Sequence, residues 1–392
     1  MTRRLLTCMT LTALAVVTAA GVSAPATAAP GPVVASTPGG DDVRHGPRTV
    51  PQAVDLGTLG GAQTVPYAVD AHGRVVGTSQ TADGRWHAFS WWRGRMTDLT
   101  PGAANGAAVD VDERGGIVVR VTATAGGPET SRLLDGRRTA ELGEVRAELV
   151  NAHGQVAGLV RGADGTNPFV WTSGTRVDLG PVPGFEGTSS RLVDLDDHGR
   201  VLGIGLGPES FEVGYVWDGA FTPVGDPSAF GGNGVVDLSD SGFVLGNAYE
   251  GGPLLWRDGA QRWLGLPPGF TDADPVAVDE HGHAVANLRT DDGRWRAHLW
   301  DGDRWVALGP DDVTTRATDL DRHRVVGVVE RAADPARTTA FLLQGDRFTE
   351  LGAGTSGSVA AQALAGRYVL GTVTDADGLV RAVLWTTRGM HH

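Results

Sequence analysis

The 392-residue chain contains no lysine; all 33 of its basic residues are arginine. Schiff-base chemistry and every mechanism that needs a side-chain amine are thereby excluded. Cysteine is nearly absent as well. The one copy, Cys8, sits in an apolar N-terminal stretch, so whatever follows must be held by packing and backbone hydrogen bonds without disulfides. Beyond that stretch no apolar run approaches the length of a membrane span, and no segment spaces apolar residues helically over three turns. Clustered positive charge is also missing. With a formal net charge of -13 and no basic run longer than two residues, the chain lacks the footprint of a nucleic-acid binder. No Gly-x-Ser-x-Gly elbow, Walker loop or dinucleotide fingerprint occurs, and Gly354-Thr355-Ser356-Gly357-Ser358 fails the first of these at its last position.

Residues 1–29 read as a secretory signal. Arg3 and Arg4 form a positive n-region, Leu5 to Val22 an apolar h-region, and Ala26-Thr27-Ala28 a cleavage site of A-x-A type. The expectation is an extracellular protein starting near Ala29, exported by the Sec route in preference to the twin-arginine route. It would be released or loosely held at the cell wall, without membrane insertion. Residues 30–52 are rich in Pro, Gly and polar residues and read as a flexible leader; residues 390–392 form a short tail.

Residues 53–389 are periodic. A Gly-Arg-Val-Val-Gly phrase ending at Gly77 recurs in degenerate form, ending at Arg120, Gly158, Gly203, Gly246, Ala286, Gly327 and Gly371. An apolar pair gives Trp91, Leu134, Trp171, Trp217, Trp256, Trp300, Leu343 and Trp385 in the same register. A third marker begins at Asp55-Leu56-Gly57 and returns in each unit, as at Asp178-Leu179-Gly180 and Leu351-Gly352. Each unit holds four short β-rich runs joined by turn residues, with Asp-Gly supplying the positive φ of tight hairpins. Eight such units predict an all-β fold, a β-propeller of about eight four-stranded blades, with seven as the alternative. The array opens on a lone strand around Asp55 and ends without one, so the N-terminal strand is expected to complete the last blade.

Asp55-Leu56-Gly57-Thr58-Leu59-Gly60-Gly61, Ala68-Val69-Asp70, Gly73-Arg74-Val75-Val76-Gly77 and His87-Ala88-Phe89 together resemble the HAF-type extracellular repeat family. The triplet departs to Asn167-Pro168-Phe169, Arg296-Ala297-His298 and Thr339-Ala340-Phe341 in later units. The resemblance implies a secreted, propeller-like scaffold and carries over no catalytic residue.

Chemistry is sparse in the pattern. His72, His153, His198, His281 and His323 fall at one turn of five units, and equivalent turns spread around a ring are expected to stand too far apart to share a metal ion. Asp375-Ala376-Asp377-Gly378, Asp291-Asp292-Gly293 and Asp194-Leu195-Asp196-Asp197 resemble fragments of calcium loops, but no bidentate carboxylate follows at the twelfth position of the first. Ordinary hairpin turns account for all three, so neither a cofactor nor a metal is assigned and structural calcium stands as the minor alternative. Residues that leave the repeat template are better site candidates. Arg120 is read as replacing the strand glycine of the second unit. Trp86 and Trp295 each follow Asp-Gly-Arg, and Trp263 and Trp305 also lie outside the repeated tryptophan position. Flat aromatics beside Asp and Arg suit sugar recognition. The expectation is therefore a non-catalytic extracellular module that binds polysaccharide, cell-wall or protein ligands. A propeller-type glycoside hydrolase or polysaccharide lyase and an adhesion scaffold are the alternatives.

Overall fold

A computed structural model describes residues 51–387 except 137, 163–164, 187, 207–211, 226–231, 249–251, 312, 332–333 and 355–356. The signal, most of the leader and the tail lie outside the described residues. Thirty-two strands and no helix occur among them. The first blade consists of Gly60–Val69, Val75–Thr81, Trp86–Trp92 and Arg95–Asp98, each strand antiparallel to the next. Six further blades follow at residues 105–143, 146–178, 190–223, 232–263, 270–307 and 314–351. In the eighth, Ser358–Ala365, Tyr368–Thr374 and Val380–Thr386 are completed by Ala53–Asp55, which pairs antiparallel with Val380–Thr386. The eight-bladed ring and its closure by the N-terminal strand are as expected. The fourth and fifth blades are also joined by a short parallel pairing, Glu212 with Gly232 and Val213 with Asn233.

The repeated positions explain the packing. Trp91, Trp171, Trp217, Trp256 and Trp300 pair with the first residue of the preceding strand, and Trp385 pairs with the second, Val369. Trp385 is wholly buried and Trp91, Trp256 and Trp300 nearly so, while Trp171 and Trp217 are half-buried. The clusters they join run from blade to blade. Leu56, Val69, Trp91, Leu370 and Leu384, for example, seal the eighth blade to the first. Closure therefore buries apolar surface as well as pairing a strand.

The strand glycine has a steric cause. A Cβ on Gly77 would lie 2.2 Å from the Val65 carbonyl oxygen and 2.9 Å from the Phe89 ring. Gly158 faces Phe169 and Gly203 faces Tyr215 in the same way. This register corrects the reading of Arg120. Gly77 pairs with Pro66 and Phe89, and the residue so placed in the second blade is Val119, paired with Ala108 and Arg132. Where the ring is replaced by Arg132 a side chain fits in place of glycine. Arg120 is instead the counterpart of Thr78.

The sequence pattern also concealed a bulge in every innermost strand, between Pro66 and Ala68 in the first blade and between Ala317 and Asp319 in the seventh. Such bulges sharpen strand twist. In four blades the residue after the bulge is aspartate, and it ties neighbours together. Asp110 accepts from the N–H of Val111 and of Val150 in the next blade. Asp319 does the same for Leu320 and Leu364, and Asp194 for Leu195 and Leu238. Asp237 accepts from Val278.

Candidate functional site

Trp86 and Arg120, far apart in the chain, meet at a cleft of about 350 Å³ between the first and second blades. Val65 and Tyr67 of one innermost strand and Asn105, Gly106 and Ala107 of the next form its walls, with Thr78, Thr122 and Glu129. Trp86 stands at the entry of its strand, paired with Gln80; Glu129 holds the same place in the second blade, paired with Thr122. A carboxylate thus replaces the indole. Arg120 departs from its position too. Thr78 there spans the seam by donating to the Gly106 carbonyl, and Asn287 does so to the Ala317 carbonyl. The Arg120 guanidinium instead faces Glu129 at 4.0 Å, and its buried Nε has no hydrogen-bond partner. The cleft therefore combines two aromatic residues with an extended ion pair whose donor is unsatisfied. It can take an apolar side chain and, beside it, a carbonyl or carboxylate oxygen.

The other candidates do not converge on it. Trp295 occupies the place of Trp86 in the sixth blade, but the Arg316 guanidinium lies over its ring at 4.8 Å and pairs with Asp274 at 3.3 Å. Burial pushes the Asp274 carboxyl above its ordinary value, against the pull of Arg316. Trp263 is exposed on an outer strand. Trp305 packs edge-on against Trp300 and donates to the Gly265 carbonyl. Glu129, Tyr67 and Asn105 were missed because nothing local marks them. Only the superposition of Glu129 on the Trp86 position, visible once register is known, could have found that carboxylate.

The acidic fragments have structural occupations. Asp196 Oδ1 accepts from the N–H groups of His198 and Arg200, and Asp197 accepts from Ala152 of the preceding blade. Asp375 accepts from Asp377 and Leu379. The expectation that equivalent turns stand far apart is corrected by the same contacts. Turns of consecutive blades touch: Glu113 accepts from the Ala71 N–H, and Glu280 from the Ser241 N–H.

No family model matches the chain, and no curated protein does. Solved structures share its architecture. One of two prolyl endopeptidases analysed for inter-domain dynamics matches with a TM-score of 0.52 at 11% identity, over 84% of this chain and 55% of that one. A post-proline cleaving enzyme from Rickettsia typhi matches with a TM-score of 0.51 at 10% identity, over 85% and 59%. The β-propeller domain of the Trilobed protease from Pyrococcus furiosus gives 0.49 at 10% identity, over 72% and 94%. The chain thus spans little more than half of the two full-length peptidases. At such identities the shared property is the propeller fold. The expected non-catalytic ligand-binding module, with its glycosidase, lyase and adhesion alternatives, is corrected to this extent: the two solved structures matched above a TM-score of 0.5 are peptidases and not sugar-binding or adhesion proteins.

Proposed function

We propose that the chain is a peptidase-related propeller whose substrates are peptides, received at the cleft between the first and second blades. The observation that carries this reading is the Arg120–Glu129 pair beside Trp86 and Tyr67. An extended peptide offers a carbonyl or terminal carboxylate to the unsatisfied guanidinium, an N–H or amine to Glu129, and an apolar side chain to the indole. The resemblance in fold to prolyl endopeptidases supports peptide as the substrate class. Hydrolysis needs a nucleophile, and the chain carries no Gly-x-Ser-x-Gly elbow, so the share of the reaction assigned to the propeller is to admit and hold the peptide. The HAF-type repeat resemblance and export ahead of Ala29 belong to the same proposal, which makes the peptides extracellular.

The test uses the native protein and a panel of short fluorogenic peptides, reading turnover by fluorescence release and engagement by titration. Arg120→Ala and Trp86→Ala are each expected to weaken engagement by at least about tenfold, equivalent to about 1.4 kcal/mol. Trp263→Ala, on an outer strand, is the control. A panel that is neither turned over nor engaged, or that is engaged equally by both cleft variants, overturns the reading.

A further inference from the structure

On the face of the ring that carries the first turn of each blade, side chains follow a rule. At five of the eight seams the residue that closes the turn lies against the turn glycine of the next blade. Arg74 covers Gly115, Gln155 covers Gly199, Arg200 covers Gly242, Phe243 covers Gly282, and Tyr368 covers Gly73. The seam between the sixth and seventh blades departs from this on both sides. His283 stands where Arg74 and Arg200 stand. In the seventh blade the turn is a two-residue hairpin closed by Asp321 and Arg324, and His323 precedes Arg324 as Gly73 precedes Arg74. The rule thus brings two imidazoles together, their centroids 5.5 Å apart. Beneath them is Asp279, which is 2% exposed. Its Oδ1 accepts from the N–H groups of His281 and His283, and its Oδ2 lies 2.9 Å from His283 Nδ1.

We propose that Asp279, His283 and His323 form a site for one divalent transition-metal ion of zinc type, clipping the sixth blade to the seventh. One donor atom from each of the three residues lies within 4.8 Å of the others. Tetrahedral zinc holds its donors roughly 3.3 Å apart at bond lengths of about 2.0–2.1 Å, so small side-chain rotations close the set. Two imidazoles and one carboxylate suit zinc, cobalt or nickel and do not suit calcium or magnesium, which take oxygen. Three protein ligands leave a coordination position for water. The hydrogen bonds from His281 and His283 N–H to Asp279 Oδ1 orient the carboxylate so that Oδ2 faces the histidines, as outer-shell partners do in metal sites. In the other turns the place of His283 holds arginine, glycine, glutamine, phenylalanine or tyrosine, and none of them is an imidazole or a carboxylate. The two histidines therefore occur together at the only turn pair of the described residues with three converging donors. His281 and His323 share the aligned turn position of their repeats. The partner of His323 is His283, two residues further on.

The test is titration of the full chain with Zn2+ by calorimetry and with Co2+ by visible absorption. One equivalent is expected, with a low-symmetry Co2+ band. His323→Ala, an exposed residue, and His283→Gln should each weaken binding by at least about 100-fold, while His391→Ala/His392→Ala, which removes the terminal histidine pair, should leave the single equivalent in place. Zn2+ should also raise the Tm of the parent and not that of His323→Ala. Binding that survives His323→Ala, or that disappears with the terminal pair alone, overturns the site.

Discussion

Replacing Asp319 with alanine tests whether the carboxylates behind the strand bulges hold the ring together. Asp319 is 4% exposed, and it accepts at 2.7 Å from both Leu320 N–H and Leu364 N–H, two residues that are fully buried in adjacent blades. Hydrogen bonds to a charged acceptor contribute about 1.5–3 kcal/mol each, and a buried donor left without an acceptor costs about 1–3 kcal/mol. Asp319→Ala should therefore destabilise the protein by about 3–5 kcal/mol. Asp319→Asn keeps one acceptor and should lose about half as much. Asp375 supplies the control: it also accepts from two backbone N–H groups, at 2.9 Å, but in an exposed turn where water can replace it. Asp375→Ala should cost under about 1 kcal/mol. Urea unfolding followed by tryptophan fluorescence reads all three variants. If Asp319→Ala unfolds within about 0.5 kcal/mol of the parent, or if Asp375→Ala costs as much, burial is not what gives these carboxylates their weight.

Three further outcomes follow from the same packing. Gly77→Ala should destabilise by about 1–3 kcal/mol, because its Cβ would fall 2.2 Å from the Val65 carbonyl oxygen; a parent-like Tm shows that the strand can move aside. At the ring closure, Leu56→Ala should cost about 2–5 kcal/mol through lost burial. Asp55→Ala, which breaks the exposed pair with Arg381 at 2.9 Å, should cost under about 1 kcal/mol; equal losses in denaturant unfolding contradict closure by packing. The Asp240 carboxyl is held above its ordinary value by burial and by the charges of Asp197, Glu280 and Asp196, against the Asp197 N–H that bonds it. Proton binding then favours the fold, so this contribution is present below about pH 4 and is lost as pH rises through the raised value. Asp240→Asn should gain in Tm relative to the parent between about pH 4 and pH 7, and a difference independent of pH removes the assignment.

Much of the architecture was legible in the chain because a propeller is periodic. The recurring tryptophans, the Asp-Gly turns and the orphan strand at Asp55 each report a local requirement, and local requirements repeat when the blade repeats. The site was less legible. Arg120 stood out as a departure, but counting from phrase ends put it on the glycine position, and only strand pairing moved that position to Val119. Once the register is known, Glu129 is recognisable as the carboxylate standing where Trp86 stands. The same holds for His283, which belongs to no motif and acquires a neighbour through the next blade.

Composition and spacing alone determined the strand content, a ring of about eight blades with seven as the alternative, the way the ring closes and the exclusion of amine chemistry, since each depends on residues close in sequence. What lies across a seam was decided by the tertiary structure. Blade-to-blade contacts such as Asp319 with Leu364, Arg120 with the Trp86 cleft and His283 with His323 depend on bulges and on one-residue differences in turn length. A shift of one residue along a strand turns a side chain to the opposite face, and no pattern within a single repeat records which neighbour it then meets.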